Sequence, residues 1–435
     1  MSGRYSRLAP EGGFATGGEL LSLAQEFGTP SFVFELGPFQ RRLREVAEIF
    51  GPEVGLCYSI KANPFLVGAA AEGGLKLEVC SPGELAICES LGVEPQGIVY
   101  SGVCKREDDV REALAFGVGC FTAESRLQFE LVERCAAQAG RVVPVLLRLN
   151  GGSQFGMSLE DLLRIVDERR DFPAAELVGI HYFVGTQRRK LRHQAHELQR
   201  LEGLLDVLER EHGWRPERLE YGPGLAVPLF EGEDFQDTLA PARQIADDLR
   251  RVAGKVELTV EMGRFFATEC GSYLTGIVDL KSNEGTNYAF VDGGMNHVTY
   301  LGQMMGMKLP VVQDLSATAR AGAELPGGPA PLAGPGGVGP DATGRPGDGP
   351  STWSLCGSLC TTADVLVRSL PMVDLRMGDV LALRNLGAYS VTEGIHLFLS
   401  RTMPRVLLLE TDGSVVLARD WIQTSGLNTP STSQA

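Results

Sequence analysis

A lysine just beyond a short apolar run, in Tyr58-Ser-Ile-Lys61-Ala-Asn63-Pro, is the first residue with a clear chemical use. Set at a strand end among apolar neighbours, its amine can have its pKa lowered and form a Schiff base with an aldehyde cofactor. A lone lysine there is more often a solvated cap, so the argument depends on its companions. Tyr221-Gly222-Pro223-Gly224-Leu225 offers glycines that let backbone N–H groups approach a phosphate. Glu261-Met262-Gly263-Arg264 places a carboxylate, a small residue and a cation at the end of another apolar run. A buried carboxylate needs a cationic partner, and a protonated pyridine nitrogen could serve. His181-Tyr182-Phe183-Val184-Gly185-Thr186-Gln187 adds aromatics able to lie against a cofactor ring and a hydroxyl able to reach its phosphate.

Such groups need a scaffold that gathers strand ends. Between residues 30 and 265, apolar runs alternate with amphipathic stretches of helical period. The strand candidates are Val54 to Ile60, Leu75 to Cys80, Gly97 to Ser101, Val118 to Thr122, Val142 to Leu149, Leu177 to Phe183, Arg218 to Tyr221 and Val256 to Glu261. Eight strands with helices between them predict a closed (β/α)8 TIM barrel, an α/β fold whose active site lies at the C-terminal strand ends, with phosphate after strands seven and eight. Beyond Arg264 the pattern turns to strand-like runs at Tyr273 to Leu280, Tyr288 to Val291, Asp379 to Leu383 and Arg405 to Leu409. We therefore expect four regions: a segment 1–29 packed on a C-terminal β domain, a barrel over 30–265, that β domain over 266–420, and a flexible tail over 421–435. Within the β domain, residues 315–352 are rich in Gly, Pro and Ala, too poor in apolar surface to offset their ordering entropy, and predict a mobile insertion.

The 435 residues are too many for one ordinary core, which agrees with two domains. A formal charge of −15 argues against nucleic-acid or anionic-membrane partners, which need a concentrated basic face, and favours a small-molecule substrate. No apolar run approaches the ~20 residues that span a bilayer, and the opening MSGRYSRLAPEGG lacks the apolar core of a signal peptide, so a cytoplasmic location is expected. Nine cysteines without CxxC pairs fit a reducing compartment. His193 and His196, with no third ligand in view, read as a surface pair, and no metal is expected.

Taken as a set, the motifs resemble the fold-type III pyridoxal-phosphate decarboxylases, among them the diaminopimelate, ornithine and arginine decarboxylases. The resemblance runs from Thr29 to Pro404 apart from the Gly/Pro insertion, and overall it is closest to diaminopimelate decarboxylases. Tyr58 to Asn63 looks like the Schiff-base segment, Glu78 to Leu85 (EVCSPGEL) like the strand-two signature, and Glu261 to Arg264 like the Glu-x-Gly-Arg element. Val291 to Asn296 (VDGGMN), Cys356 to Asp364 (CGSLCTTAD) and Gly387 to Tyr389 (GAY) match the remaining landmarks. The resemblance implies an amino-acid decarboxylase of the kind used in lysine biosynthesis, with pyridoxal 5'-phosphate on Lys61 and Glu261 against the pyridine nitrogen. Each pKa unit that Glu261 adds to that nitrogen would be worth about 1.4 kcal/mol. It further implies that His181, Phe183, Thr186, Gly222, Gly224, Gly263, Arg264 and Tyr389 hold the cofactor, that Arg148 reaches its phenolic oxygen, and that Cys360 returns a proton to the substrate carbon. Arg264, Tyr300, Thr361, Asp364 and Tyr389 would face the substrate. Cys360 and Asp364 would enter the barrel of a second copy, making a homodimer with shared active sites.

Departures from the pattern bear on specificity. Phe183 stands where a histidine usually stacks on the cofactor, and Pro223 removes one N–H donor from the phosphate turn. Thr361 replaces the glutamate that diaminopimelate decarboxylases carry after the catalytic cysteine. No arginine follows the VDGGMN segment, which continues His297-Val-Thr-Tyr300. Loss of both charged anchors unsettles diaminopimelate as substrate. Thr361 and the GTQ ending after Phe183 also resemble decarboxylases of amino acids tethered to a carrier protein. An alanine-racemase-like enzyme is a further alternative, disfavoured by Glu261 because that family sets an arginine at the ring nitrogen. A non-catalytic decarboxylase-like regulator is disfavoured by intact Lys61, Glu261 and Cys360.

Overall fold

The computed structural model describes residues 4–5, 13–300, 306–325, 327–329 and 351–431. Its chain divides into two compact units, one formed by Arg42–Val227 with Asp237–Phe266, the other by Met1–Arg41, Pro228–Gln236 and Ala267–Ala435. The first is the barrel. Its strands are Val54–Ser59, Lys76–Val79, Ile98–Tyr100, Cys120–Ala123, Val143–Leu149, Ala175–Phe183, Arg218–Gly222 and Glu257–Met262, and they close in that order. Every pairing is parallel, and the eighth strand returns to the first with Glu261 opposite Cys57. All eight predicted strands are present, because each is a short apolar run flanked by a helix start or stop signal. Serine caps open three of the barrel helices: Ser81 accepts from Glu84 N–H, Ser125 from Gln128 N–H and Ser158 from Asp161 N–H. Left-handed Gly117 and Gly213 close two others.

The second unit is built on a ten-stranded mixed sheet. Ser31–Glu35, buried along its whole length, lies in this sheet between antiparallel Gly271–Asn283 and parallel Arg405–Leu409. The barrel boundary expected at residue 30 is therefore too early: a strand buried on both faces found its partners in the other unit. Residues 228–236 also leave the barrel for this unit, where Phe230 bridges Pro310. Helix Gly17–Phe27, started by a Thr16/Glu19 capping box, lays Leu20, Leu23, Ala24 and Phe27 on Val33, Leu274, Ala382 and Leu407.

Two segments expected to be mobile are structured at their described edges. The insertion assigned to 315–352 begins with a helix, Leu315–Arg320, capped by Asp314. Leu315 and Leu325 enter the apolar core, and Arg320 pairs with Asp379. The strand Ser351–Cys356 takes up its last two residues, while residues 326 and 330–350 lie outside the described set. The tail assigned to 421–435 is anchored as far as it is described. Arg405 lies 3.9 Å from the centre of the Trp421 ring, Ile422 bridges Met403, and buried Thr424 donates its hydroxyl to the Arg401 carbonyl. Composition missed these contacts because single side chains made them, apolar at Leu315 and Leu325, aromatic at Trp421, and charged or polar at Arg320 and Thr424. Among the described residues no helix is long and apolar enough to cross a membrane.

Candidate active site

Local folding fixes the lysine turn. The first barrel strand runs into a 3-10 turn, Ile60–Ala62, then a second one begun by Pro64. Asn63 holds the joint: its side chain accepts from Phe65 N–H at 3.0 Å, and its carbonyl accepts from the Tyr58 hydroxyl at 3.0 Å. After the second strand, EVCSPGEL folds as a helix start. Ser81 is the cap, Pro82 the first helical residue, and Glu84 reaches back to Cys80 N–H at 2.6 Å. That cap sets Cys80 and Glu78 beside the lysine.

Lys61 Nζ donates to Glu78 Oε2 at 2.7 Å, lies 3.6 Å from Cys80 Sγ and 3.8 Å from Glu261 Oε1. Burial of the amine would lower its pKa, but Glu78, Cys80 and Glu261 outweigh that and hold it well above the ordinary lysine value. The expectation of a lowered pKa is thus corrected: acidic neighbours, not apolar ones, surround the amine. Glu261 accepts from Ser59 Oγ at 2.5 Å, and its Oε2 lies 2.9 Å from His181 Nε2. Burial pushes its carboxyl up, yet Lys61 and the His181 hydrogen bond win and keep it ionised, well below the usual range. Glu220, 3% exposed on strand seven, goes the other way, driven up by burial and by repulsion from Glu261 and Glu78. Two interior carboxyls are therefore pushed in opposite directions, Glu220 up and Glu261 down. Glu78, His181 and Glu261 are grouped closely enough to hold a cation, and the Lys61 ammonium supplies it.

The phosphate turn is trussed to the loop after strand six. Gln187 and Val227 exchange two hydrogen bonds of 2.9 Å through the glutamine side chain, and Arg188 N–H donates to Gly224 O at 2.9 Å. Arg188 is clamped by Glu197, which also accepts from the Tyr221 hydroxyl at 3.0 Å. Gly224 has φ +60°, and a Cβ there would lie 1.7 Å from the Gly185 carbonyl. At Gly222 a Cβ would strike the Phe183 ring at 2.4 Å, so glycine admits that ring over the turn. Gly263 is needed for packing, since its Cβ would meet Ala62 at 2.8 Å. Arg148 is paired with Glu124, with its guanidinium carbon 6.0 Å from the centre of the Phe183 ring. Thr186 is exposed and Arg264 is buried.

Sequence reasoning thus placed Lys61, His181 and Glu261 in one cluster and Phe183, Gly222 and Gly224 in another. Missed were Ser59, Glu78, Cys80, Glu124, Gln187 and Glu197. Of these, Ser59, Glu78, Cys80 and Gln187 lay inside motifs already singled out.

The remaining candidates belong to the β unit. Cys360 and Thr361 are exposed. Asp364 is 2% exposed and accepts from Met295 N–H at 2.7 Å and Leu359 N–H at 2.8 Å. Both its oxygens are engaged, so it braces VDGGMN against CGSLC instead of facing a substrate. Tyr300 is likewise corrected: it is buried, and its hydroxyl donates to the Arg384 carbonyl at 2.8 Å. Tyr389 is half-buried with φ +70°, and its carbonyl accepts from Thr392 N–H at 2.8 Å.

A closed parallel barrel carrying a lysine, an ionised buried carboxylate and a glycine turn at its strand ends defines a barrel enzyme built around an aldehyde cofactor. Residues 36–268 match the family description "Pyridoxal-dependent decarboxylase, pyridoxal binding domain", and the chain belongs to that family. It is 29% identical over 396 residues to a diaminopimelate decarboxylase of Pseudomonas aeruginosa, covering 86% of each chain. Against the L-glutamyl-[BtrI acyl-carrier protein] decarboxylase of Niallia circulans it is 25% identical over 424 residues, covering 92% of this chain and 93% of the relative. The crystal structure of diaminopimelate decarboxylase from M. jannaschii with L-lysine shares the fold, with TM-score 0.77 and 22% identity, covering 94% of this chain and 93% of that one. The protein is a pyridoxal-phosphate-dependent amino-acid decarboxylase. Its residues fit the cofactor: Lys61 offers the amine, Glu261 a fixed negative charge, and Gly222 and Gly224 a turn that any Cβ would fill.

Proposed function

We propose that Lys61 Nζ is the attachment point of the cofactor and that Glu261 is the partner of its ring nitrogen. The observation that carries this reading is the Lys61–Glu261 approach of 3.8 Å at the ends of the first and eighth strands. When bound, pyridoxal phosphate supplies an electron sink for the pair left as the bond to CO2 breaks. Glu78 Oε2, at 2.7 Å, takes the proton that Lys61 must lose before its amine can act as a nucleophile. His181 and Ser59 orient Glu261 so that its charge meets the ring without reorganisation. Phe183, whose ring lies against Gly222, would cover one face of the cofactor ring, while the Gly222–Gly224 turn and Thr186 would hold its phosphate. Cys360 Sγ gives the proton that replaces CO2. A second copy of the chain brings that thiol, exposed on a loop braced by Asp364, to the barrel. Cys360→Ala is expected to keep the cofactor's visible band while lowering kcat and releasing misprotonated products. An unchanged kcat and product profile would remove the thiol from this role.

As substrate we propose an amino acid whose side-chain carboxyl is carried as a thioester on a carrier protein, which leaves its α-amine and α-carboxylate free and lets the latter depart as CO2. Thr361 in place of a glutamate, the absence of an arginine anchor and the internal bond of the Tyr300 hydroxyl all speak for a side chain without a second charged handle. The N. circulans relative, named for a glutamyl-carrier substrate, supports the same reading. Free diaminopimelate is the second reading, favoured by the P. aeruginosa relative. A CO2-release screen of holoenzyme against meso-diaminopimelate, ornithine, lysine, arginine, glutamate and carrier-loaded amino acids decides between them. Release from a carrier-loaded amino acid alone is expected, and release from diaminopimelate alone would overturn the proposal.

A further inference from the structure

The segment from Arg188 to Arg200 carries five Lys or Arg residues against one carboxylate, in a chain whose formal charge is −15. The lone carboxylate, Glu197, is buried and clamps Arg188. Beyond it, Lys190, Arg192, His193, His196 and Arg200 are all exposed. Arg192, His196 and Arg200 follow one another at four-residue spacing along helix Arg192–His212, so they line one face. The opposite face buries Leu198, Leu201 and Leu208. Among the described residues Lys190, Arg192 and Arg200 form no ion pair, although acidic side chains are abundant elsewhere.

Local energetics do not explain this arrangement. A helix N-terminus is the positive end of the backbone dipole and favours acidic residues, yet the first turn here holds none, and no side chain caps it. Cations gathered there repel the helix end and one another. A local rule broken without an internal compensation points to an external anion. The loop that starts the stripe leaves strand six directly after Phe183 and Gly185, on the face of the barrel where the strand ends carry Lys61 and Glu261.

We propose that Lys190, Arg192, His193, His196 and Arg200 form the docking surface for an acidic carrier protein, which presents its amino-acyl arm to the barrel mouth. This rests on the carrier-bound reading of the substrate. Charge complementarity selects the occupant: an acidic carrier whose arm joins it through a phosphodiester is anionic just where the arm begins. The rest of the chain is net negative, since the formal charge of −15 already includes the five cations of this segment, so the stripe is the part of the sequence that departs from the prevailing sign.

The test compares two substrates of the holoenzyme, glutamate loaded through its γ-carboxyl on an acidic acyl-carrier protein and the same amino acid as its γ-N-acetylcysteamine thioester, each with a free α-carboxylate. Lys190→Glu/Arg192→Glu/Arg200→Glu is expected to lower kcat/KM for the carrier-bound substrate roughly tenfold or more, with kcat little changed and the small thioester unaffected. Wild-type kcat/KM should fall with salt for the carrier-bound substrate alone. Unchanged turnover of the small thioester and an unchanged cofactor band show that the variant is folded, and the milder Lys190→Ala/Arg192→Ala should give a smaller loss of the same kind. An unaltered kcat/KM for the carrier-bound substrate, or an equal loss on both substrates, would overturn the proposal. So would loss of binding to duplex DNA or to phosphatidylglycerol vesicles in a variant that still handles the carrier normally. If wild-type enzyme releases CO2 from neither thioester but does so from free diaminopimelate, it is the substrate reading that has failed.

Discussion

Lys61→Ala is expected to abolish turnover and the visible band of the bound cofactor together. Alanine removes the ammonium that now lies 2.7 Å from Glu78 and 3.8 Å from Glu261, and leaves the two carboxylates without it. The variant thus loses its attachment point and the cation that both carboxylates share at once. Near-wild-type CO2 release by the purified variant would rule out a covalent role for the lysine.

The second large effect is expected at Glu261. Glu261→Gln preserves volume and can still bond to Ser59 and His181, but it cannot carry the negative charge that those residues and Lys61 stabilise. The barrel should stay folded, and kcat should fall by about 10² to 10³, the usual cost of removing one preorganised electrostatic partner. Glu261→Asp retains the charge on a shorter stem and should recover part of the loss. Equal kcat for wild type and Glu261→Gln, measured by CO2 release at saturating substrate, would show that the carboxylate does not support the ring nitrogen. Glu220 gives an internal contrast. It is equally enclosed, but burial and the neighbouring carboxylates push its pKa up where Lys61 and His181 hold that of Glu261 down, so Glu220→Gln should leave kcat far less altered than the same change at Glu261.

Much of this was legible in the sequence because the barrel repeats a simple signal. Each strand is a run such as Val143–Leu149 or Glu257–Met262, and several are followed by a serine cap that can be read residue by residue. Strand ends then place Lys61, His181 and Glu261 at one mouth. Distant pairings were not legible. The boundary set at residue 30 put Ser31–Glu35 with the barrel, and only its ladder with Gly271–Asn283 shows otherwise. Asp364 and Tyr300 lie in motifs associated with substrate, yet their hydrogen bonds turn inward to backbone groups. The lysine's acidic surroundings were hidden because Glu78 and Glu261 come from opposite ends of the barrel sequence and meet only when strands one, two and eight become neighbours. Net charge concealed the basic stripe after strand six, since a sum over 435 residues averages away thirteen.

Borohydride reduction of the holoenzyme, followed by proteolysis and mass spectrometry of the pyridoxyl-labelled peptide, tests the central assignment most directly. The account predicts the label on the lysine of Tyr58-Ser-Ile-Lys61-Ala-Asn63. A label on any other lysine, or an enzyme that turns over substrate with no lysine labelled at all, would contradict it.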